Sequence, residues 1–204
     1  MTIETHQTAS RTAAALLVDC LIEQGADRIF TVPGESFLPV LDALHDRSAI
    51  DVVTCRQEGG AAFMACADGT MTGQPGIAFV TRGPGATNAV TGIATAYMDS
   101  IPMVVISGQV QSHLVGQDAF QETDMVGISR PIVKHSFMVR HASEIPGLIK
   151  KAFHIAATGR PGPVVIDIPK DLTRPDEKFE YEYPETVKLR SYSPAQRGHT
   201  GQIK

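Results

Sequence analysis

GIAFVTRGPGATNAVTGIATAYMDSIPMVVIS, residues 76–107, is the stretch that sets the fold. It opens on a continuous apolar run, GIAFVT (76–81), and crosses a glycine-rich turn, GPGATN (83–88). A helical pattern follows over 86–98, and a second apolar run, IPMVVIS (101–107), ends it. Neither run alternates polar with apolar residues, so each reads as a strand buried on both faces. Two such strands joined through a helix form a parallel pair, because a parallel crossover needs about a dozen residues or more.

The same alternation extends outward. RIFTV (28–32) and DVVTC (51–55) read as strands upstream, and GPVVIDIP (162–169) reads as the last strand downstream. A helix is expected from Ser10, its predicted cap, to Gln24, since Ala14, Leu17, Val18, Leu21 and Ile22 recur at helical spacing and Gly25 stops it. Further helices are expected over 37–46, after the second strand from CRQEGGAAFMACADG (55–69), and over 143–158. Ser143 is the cap candidate of the last, although Pro146 stands where a full capping box has an acid. The stretch 108–124 is less regular. The fold class expected is α/β, a doubly wound, mostly parallel sheet with helices on both faces. Residues 1–9 read as a flexible N-terminus and 10–171 as the domain. Residues 172–204, polar and carrying Pro175, Pro184 and Pro194, read as a linker leading to a further domain of a longer chain.

Composition narrows the function. Hydrophobic residues at 43% and charged residues at 20% describe a globular chain rather than a disordered one. The net charge of -4, without a Lys/Arg run, gives no nucleic-acid surface. No apolar run is long enough for a membrane span, and the first residues lack the pattern of a signal peptide. Cys20, Cys55 and Cys66 have neither disulfide nor zinc spacing, so they read as reduced thiols of a cytoplasmic protein.

In an open α/β sheet, ligands bind beyond the carboxyl ends of the strands. Three strand-to-helix turns arrive there: VPGES (32–36), RQEGG (56–60) and RGPGATN (82–88). Their glycines let a ligand approach the backbone, and helix starts offer N–H donors. GPGATN is neither a full dinucleotide fingerprint, since Asn88 stands at the third glycine, nor a Walker loop, since GK[ST] is missing. A nucleotide-binding oxidoreductase is the reading that the fold alone would permit, but fold does not set function. Glu58 is the one carboxylate of its segment. A first-turn acid suits the helix dipole by default. Its apolar neighbours offer no cationic partner, so it could instead share a proton with a ligand nitrogen.

These residues resemble the N-terminal, pyrimidine-binding domain of thiamine-diphosphate enzymes, above all acetolactate synthase catalytic subunits, over about residues 10–204. GPGATNAVTGIATAYMDSIPMVVISGQV (83–110), GQDAFQETDMVGISRPIVKHSF (116–137) and TGRPGPVVIDIPKD (158–171) carry the resemblance, and RGHTGQIK (197–204) looks like the start of that family's middle domain. The resemblance implies thiamine diphosphate as cofactor. It gives Glu58 a hydrogen bond to N1′ of the aminopyrimidine and a catalytic role. It sets Pro33, Gly34, Gly83, Pro84 and Asn88 around the ring, Gln121 at the active centre, and Phe120 and Lys170 near the substrate. No metal ligand is expected in this chain. Mg2+ and FAD would belong to other domains, as no Gly-Asp-Gly segment is present. Pyruvate and a second 2-keto acid are the implied substrates, for a transferase step of branched-chain amino acid biosynthesis. A homodimer or higher oligomer, with a regulatory small subunit, is the implied assembly, and the chain alone is expected not to turn over.

Glu35, Gln57 and Gly59 are among the positions that depart from the family pattern. Glu35 stands in VPGE where YPGG is usual, and Gln57 and Gly59 stand in RQEGGA where RHEQGA is usual. They bear on substrate specificity more than on cofactor use. Other readings stay open here: a glyoxylate carboligase or sulfoacetaldehyde acetyltransferase type of enzyme, a non-catalytic cofactor-binding subunit, or a chain of two origins joined near residue 90. His135, without a ligand partner at metal spacing, reads as structural.

Overall fold

The computed structural model describes residues 10–179, 183–195 and 197–203. The expected flexible stretch, residues 1–9, lies outside the described residues. In chain order the elements are β1 (Arg11–Thr12), α1 (Ala13–Glu23), β2 (Arg28–Thr31), α2 (Leu38–His45), β3 (Asp51–Thr54), α3 (Glu58–Thr72), β4 (Gly76–Val80), α4 (Pro84–Asn88), α5 (Val90–Met98), β5 (Met103–Gln109), α6 (Met125–Ser129), β6 (His135–Met138), α7 (Ile145–Ala157), β7 (Pro163–Pro169) and β8 (Lys178–Phe179). Six strands form one parallel sheet in the order β3-β2-β4-β5-β7-β6, and β1 pairs antiparallel with β8. The doubly wound α/β expectation holds.

The continuous apolar runs are explained by two cores. Ile77, Phe79, Val104, Ile106, Val164 and Ile166 face α1, α2 and α7, against Leu17, Leu21 and Ile149. Their strand neighbours Ala78, Val80, Met103, Val105 and Val165 face the other side, against Ala61, Ala62 and Ala65 of α3 and Ile93 of α5. Each fully buried aliphatic side chain stabilises the fold by roughly 1.5–3 kcal/mol. The second core is built from small residues, so α3 lies close to the sheet and turns its large side chains outward. Phe63, Met64 and Met71 are exposed.

Several local expectations need correction. The helix expected from Ser10 is capped instead by Thr12, whose Oγ1 accepts from the Ala15 N–H at 3.2 Å. Pairing of Arg11 and Thr12 with β8 keeps the backbone extended up to that point. The helix expected over 86–98 starts two residues earlier, with Pro84 at its first position, and is interrupted at Ala89 between α4 and α5. Before α7 the capping acid is Glu144, whose carboxylate accepts from the Arg140 and His141 N–H groups at 3.0 and 3.3 Å. Those bonds hold its pKa below the ordinary value. Strand β6 was not expected at all. Within the stretch expected to be a linker, Tyr183 and Leu189 pack on the first core, and the Tyr192 hydroxyl donates to the Thr158 carbonyl at 2.7 Å.

Candidate functional site

Strands β3, β2 and β4 are neighbours, so their carboxyl ends set the turns 32–36, 56–60 and 82–88 side by side. Glu58 is the first residue of α3 and only 9% exposed. Its Oε2 accepts from Asn88 Nδ2, at the end of α4, at 2.9 Å. No hydrogen bond among the described residues reaches Oε1. That oxygen looks onto the third turn, where a Cβ built on Gly85 would stand 3.2 Å away. The two segments singled out from sequence therefore meet through one hydrogen bond.

The departures in the second turn are matched to each other. Gln57 caps α3, its side-chain oxygen accepting from the Gly60 N–H at 3.1 Å. A Cβ at Gly59 would lie 2.7 Å from that oxygen and 3.3 Å from the Asn88 carbonyl. A glutamine curled back as a cap thus requires glycine two residues on. Gly83 is constrained more tightly. Its φ is +52°, and a Cβ there would stand 2.0 Å from the Gln121 carbonyl oxygen. The third turn and Gln121 are in backbone contact. Gln121 itself has φ +61° and an exposed side chain. Its loop is held by Glu122, whose carboxylate accepts from the Gly116 N–H and, at 3.0 Å, from the Ala119 N–H; these bonds hold its pKa down.

Phe120 is 79% exposed, so it is not a core aromatic. It borders a cavity of about 150 Å³ together with Glu35, Arg82, Leu114 and Lys170. Pro33, Pro84 and the Asn88 side chain are exposed at the same edge, and Gly34 is half-buried against Thr81. A larger hollow, about 620 Å³, lies between α1 and α2, and none of the three turns' glycines borders it. His135 rests edge-on against the Phe137 ring at 4.3 Å, and burial lowers its pKa. Cys20, Cys55 and Cys66 are not joined in disulfides, and burial raises the pKa of the last two. Among the described residues no cluster of His, Cys, Asp and Glu is placed to hold a metal, and no helix is long and apolar enough to cross a membrane.

Sequence reasoning missed three residues near this edge. Arg82 sits in the third turn between Thr81 and Gly83, and its position in the quoted motif was the available signal. Gln109 and Asp167 are both buried. Gln109 Nε2 donates to Asp167 Oδ2 at 2.9 Å and to the Thr123 carbonyl at 2.8 Å. Asp167 Oδ1 has no partner among the described residues, and burial pushes the carboxyl pKa up to about 7. An acid inside the apolar run GPVVIDIP was the signal there.

The arrangement fits the pyrimidine half of a thiamine cofactor. A nearly buried carboxylate keeps one oxygen free, held in orientation through the other, opposite a turn whose glycines leave its surface open. Residues 11–128 match the family described as "Thiamine pyrophosphate enzyme, N-terminal TPP binding domain". The chain is 56% identical over 191 residues to the acetolactate synthase large subunit of Haemophilus influenzae, covering 94% of this chain and 33% of that protein. Identity and coverage are the same for the acetolactate synthase isozyme 3 large subunit of Escherichia coli. For the acetolactate synthase large subunit of Corynebacterium glutamicum the identity is 45% over 193 residues, covering 95% of this chain and 30% of that one. The chain spans about a third of the length of these curated relatives.

Proposed function

The chain belongs to the thiamine pyrophosphate enzymes, through their N-terminal TPP-binding domain, and on that premise we propose that it is the pyrimidine-binding part of an acetolactate synthase-like carboligase. The observation that carries the proposal is Glu58, nearly buried, anchored by Asn88 through one oxygen and free at the other. When bound, thiamine diphosphate supplies the electron sink that lets a 2-keto acid lose its carboxylate.

The remaining chemistry is assigned to this chain's residues. Glu58 Oε1 holds a proton at N1′ of the aminopyrimidine, and exclusion of water strengthens that interaction. Asn88 keeps the carboxylate in orientation. Pro33 and Gly34 flank the ring on one side, Gly83 and Pro84 on the other. Gln121, held against Gly83, offers its amide to the substrate, and Phe120 and Lys170 line the approach. The whole protein transfers the two-carbon unit of pyruvate to a second 2-keto acid, a transferase step of branched-chain amino acid biosynthesis in the cytoplasm. Mg2+ and FAD are assigned to further domains. A homodimer or higher oligomer is supported by the apolar face of α3, with Phe63, Met64 and Met71 exposed. A regulatory small subunit completes the assembly.

The test is Glu58→Gln in the complete protein. General acid–base assistance is worth about 10²–10⁴-fold, so kcat should fall at least about 100-fold with the fold intact by circular dichroism. Near-normal turnover would sink the assignment.

A further inference from the structure

Glu35, where the family usually has a glycine, sits at the centre of a charge cluster. Its Oε2 accepts from Arg82 Nη1 at 2.5 Å, and its Oε1 is paired with Lys170 Nζ. The two cations reach it from separate strands, Arg82 from the turn after β4 and Lys170 from the end of β7, with β5 between them. All three residues line the cavity of about 150 Å³, whose apolar wall includes Val110, Leu114 and Phe120.

The cluster is unbalanced in two ways. Two cations share one carboxylate. The nearby Asp171 does not offset them, because its Oδ1 already accepts from the Ser112 N–H and hydroxyl at 2.8 and 3.0 Å. The partners also differ in freedom. The Arg82 side chain is 14% exposed, and its buried Nε has no partner among the described residues. The Glu35 side chain is 51% exposed and can turn to solvent, which leaves the largely buried Arg82 charge open to another carboxylate. Arg82 is the fixed element and Glu35 the displaceable one.

We propose that this cavity is a subsite for a small monocarboxylate, and that Glu35 is its built-in competitor. A carboxylate ligand takes the place of the Glu35 carboxylate between the Arg82 guanidinium, whose fork matches carboxylate geometry, and the Lys170 ammonium. The ligand's short apolar tail lies against Leu114 and Phe120. Glu35 then lowers apparent affinity by the fraction of time it occupies the cations, as any competing closed state does. The proposal deepens the function proposed above, since 2-keto acids are small monocarboxylates. It rests on that reading only for the identity of the natural ligand.

The experiment needs neither cofactor nor turnover. The 204-residue chain is titrated with propionate at constant ionic strength, and binding is read from the backbone amide NMR shifts of Val110 and Phe120. Propionamide and inorganic phosphate serve as controls. Glu35→Gln keeps the size and removes the charge. An exposed ion pair is worth a factor of about 1.4 to 5, so freeing two pairs should tighten propionate about two- to 25-fold. Arg82→Gln should abolish saturable binding, and Lys170→Gln should weaken it while keeping the Glu35–Arg82 pair. Unchanged or weaker propionate binding by Glu35→Gln would overturn the proposal. Equal binding of propionamide, or tighter binding of phosphate than of propionate, would overturn it too. The carboligase reading fails separately, through Glu58→Gln turnover in the complete protein.

Discussion

Replacing Asp167 with asparagine should change how stability depends on pH. The carboxyl is fully buried, and its pKa rises from the ordinary 3.8 to about 7, mainly through desolvation, with the nearby Asp124 charge adding to the rise. Gln109 and Ser107 oppose it through hydrogen bonds. A raised carboxyl pKa means that the folded state binds the proton more tightly than the unfolded state. Its stabilisation is full below pH 3.8 and is lost as the pH rises through about 7. At 1.36 kcal/mol per pH unit the total is roughly 4 kcal/mol, of which roughly 3 kcal/mol is lost between pH 5 and pH 8. That is a large share of a domain's usual stability. His135, whose pKa is lowered by burial, works in the opposite direction around its ordinary 6.5. The depressed Glu122 and Glu144 lose their stabilisation only on the acid side, near and below their ordinary 4.5. The difference between wild type and Asp167→Asn therefore isolates the aspartate. Urea unfolding midpoints at half-unit steps from pH 5 to 8 provide the assay. The asparagine keeps an acceptor for Gln109, and any cost of its new amide group is constant with pH. The variant should gain on the wild type steadily as the pH rises. Parallel curves across that range would refute the buried, proton-holding aspartate.

Two further outcomes are expected beside the Glu58 and Glu35 substitutions. Gly83→Ala should destabilise the domain by about 2–4 kcal/mol, since it combines a strained positive φ with a backbone clash at Gln121, and the loss is measured by the same urea titration; a change under about 0.5 kcal/mol would contradict the contact. Phe63→Glu places a charge on the apolar face of α3 and should shift sedimentation toward the monomer, leaving the circular dichroism unchanged; an unaltered sedimentation profile would exclude that face as the interface.

The central sheet was legible because buried parallel strands leave long apolar runs. The runs 28–32, 51–55, 76–81, 101–107 and 162–169 each mark an observed strand, within two residues at the ends. Strand β6 left no such mark. His135–Met138 is a four-residue edge strand, paired on one side only, and its residues are partly or largely exposed. The cap at Thr12 was hidden for a different reason: it depends on pairing with residues 178–179, far along the chain. Glu58 was legible as an acid out of place in an apolar segment, but its anchor could be seen only in space, since Asn88 lies thirty residues away. The departures at Glu35, Gln57 and Gly59 looked like isolated oddities in sequence. In space Gln57 explains Gly59, and Arg82 with Lys170 accommodates Glu35. Such compensations cross between turns and have no local signature.

The strand order has a consequence for synthesis on the ribosome. Among the described residues the sole sheet neighbour of β6 is β7, which follows it in the sequence and inserts between β6 and β5. About 25 residues separate the two strands, roughly 1–5 s of translation at ordinary rates. During that interval β6 has emerged without a partner, and the open edge of β5 awaits the same missing strand. One late insertion closes both edges together. A nascent chain whose emerged part ends between residues 139 and 162 would therefore carry two unpaired edges at once, and it is the stage at which chaperone capture should peak.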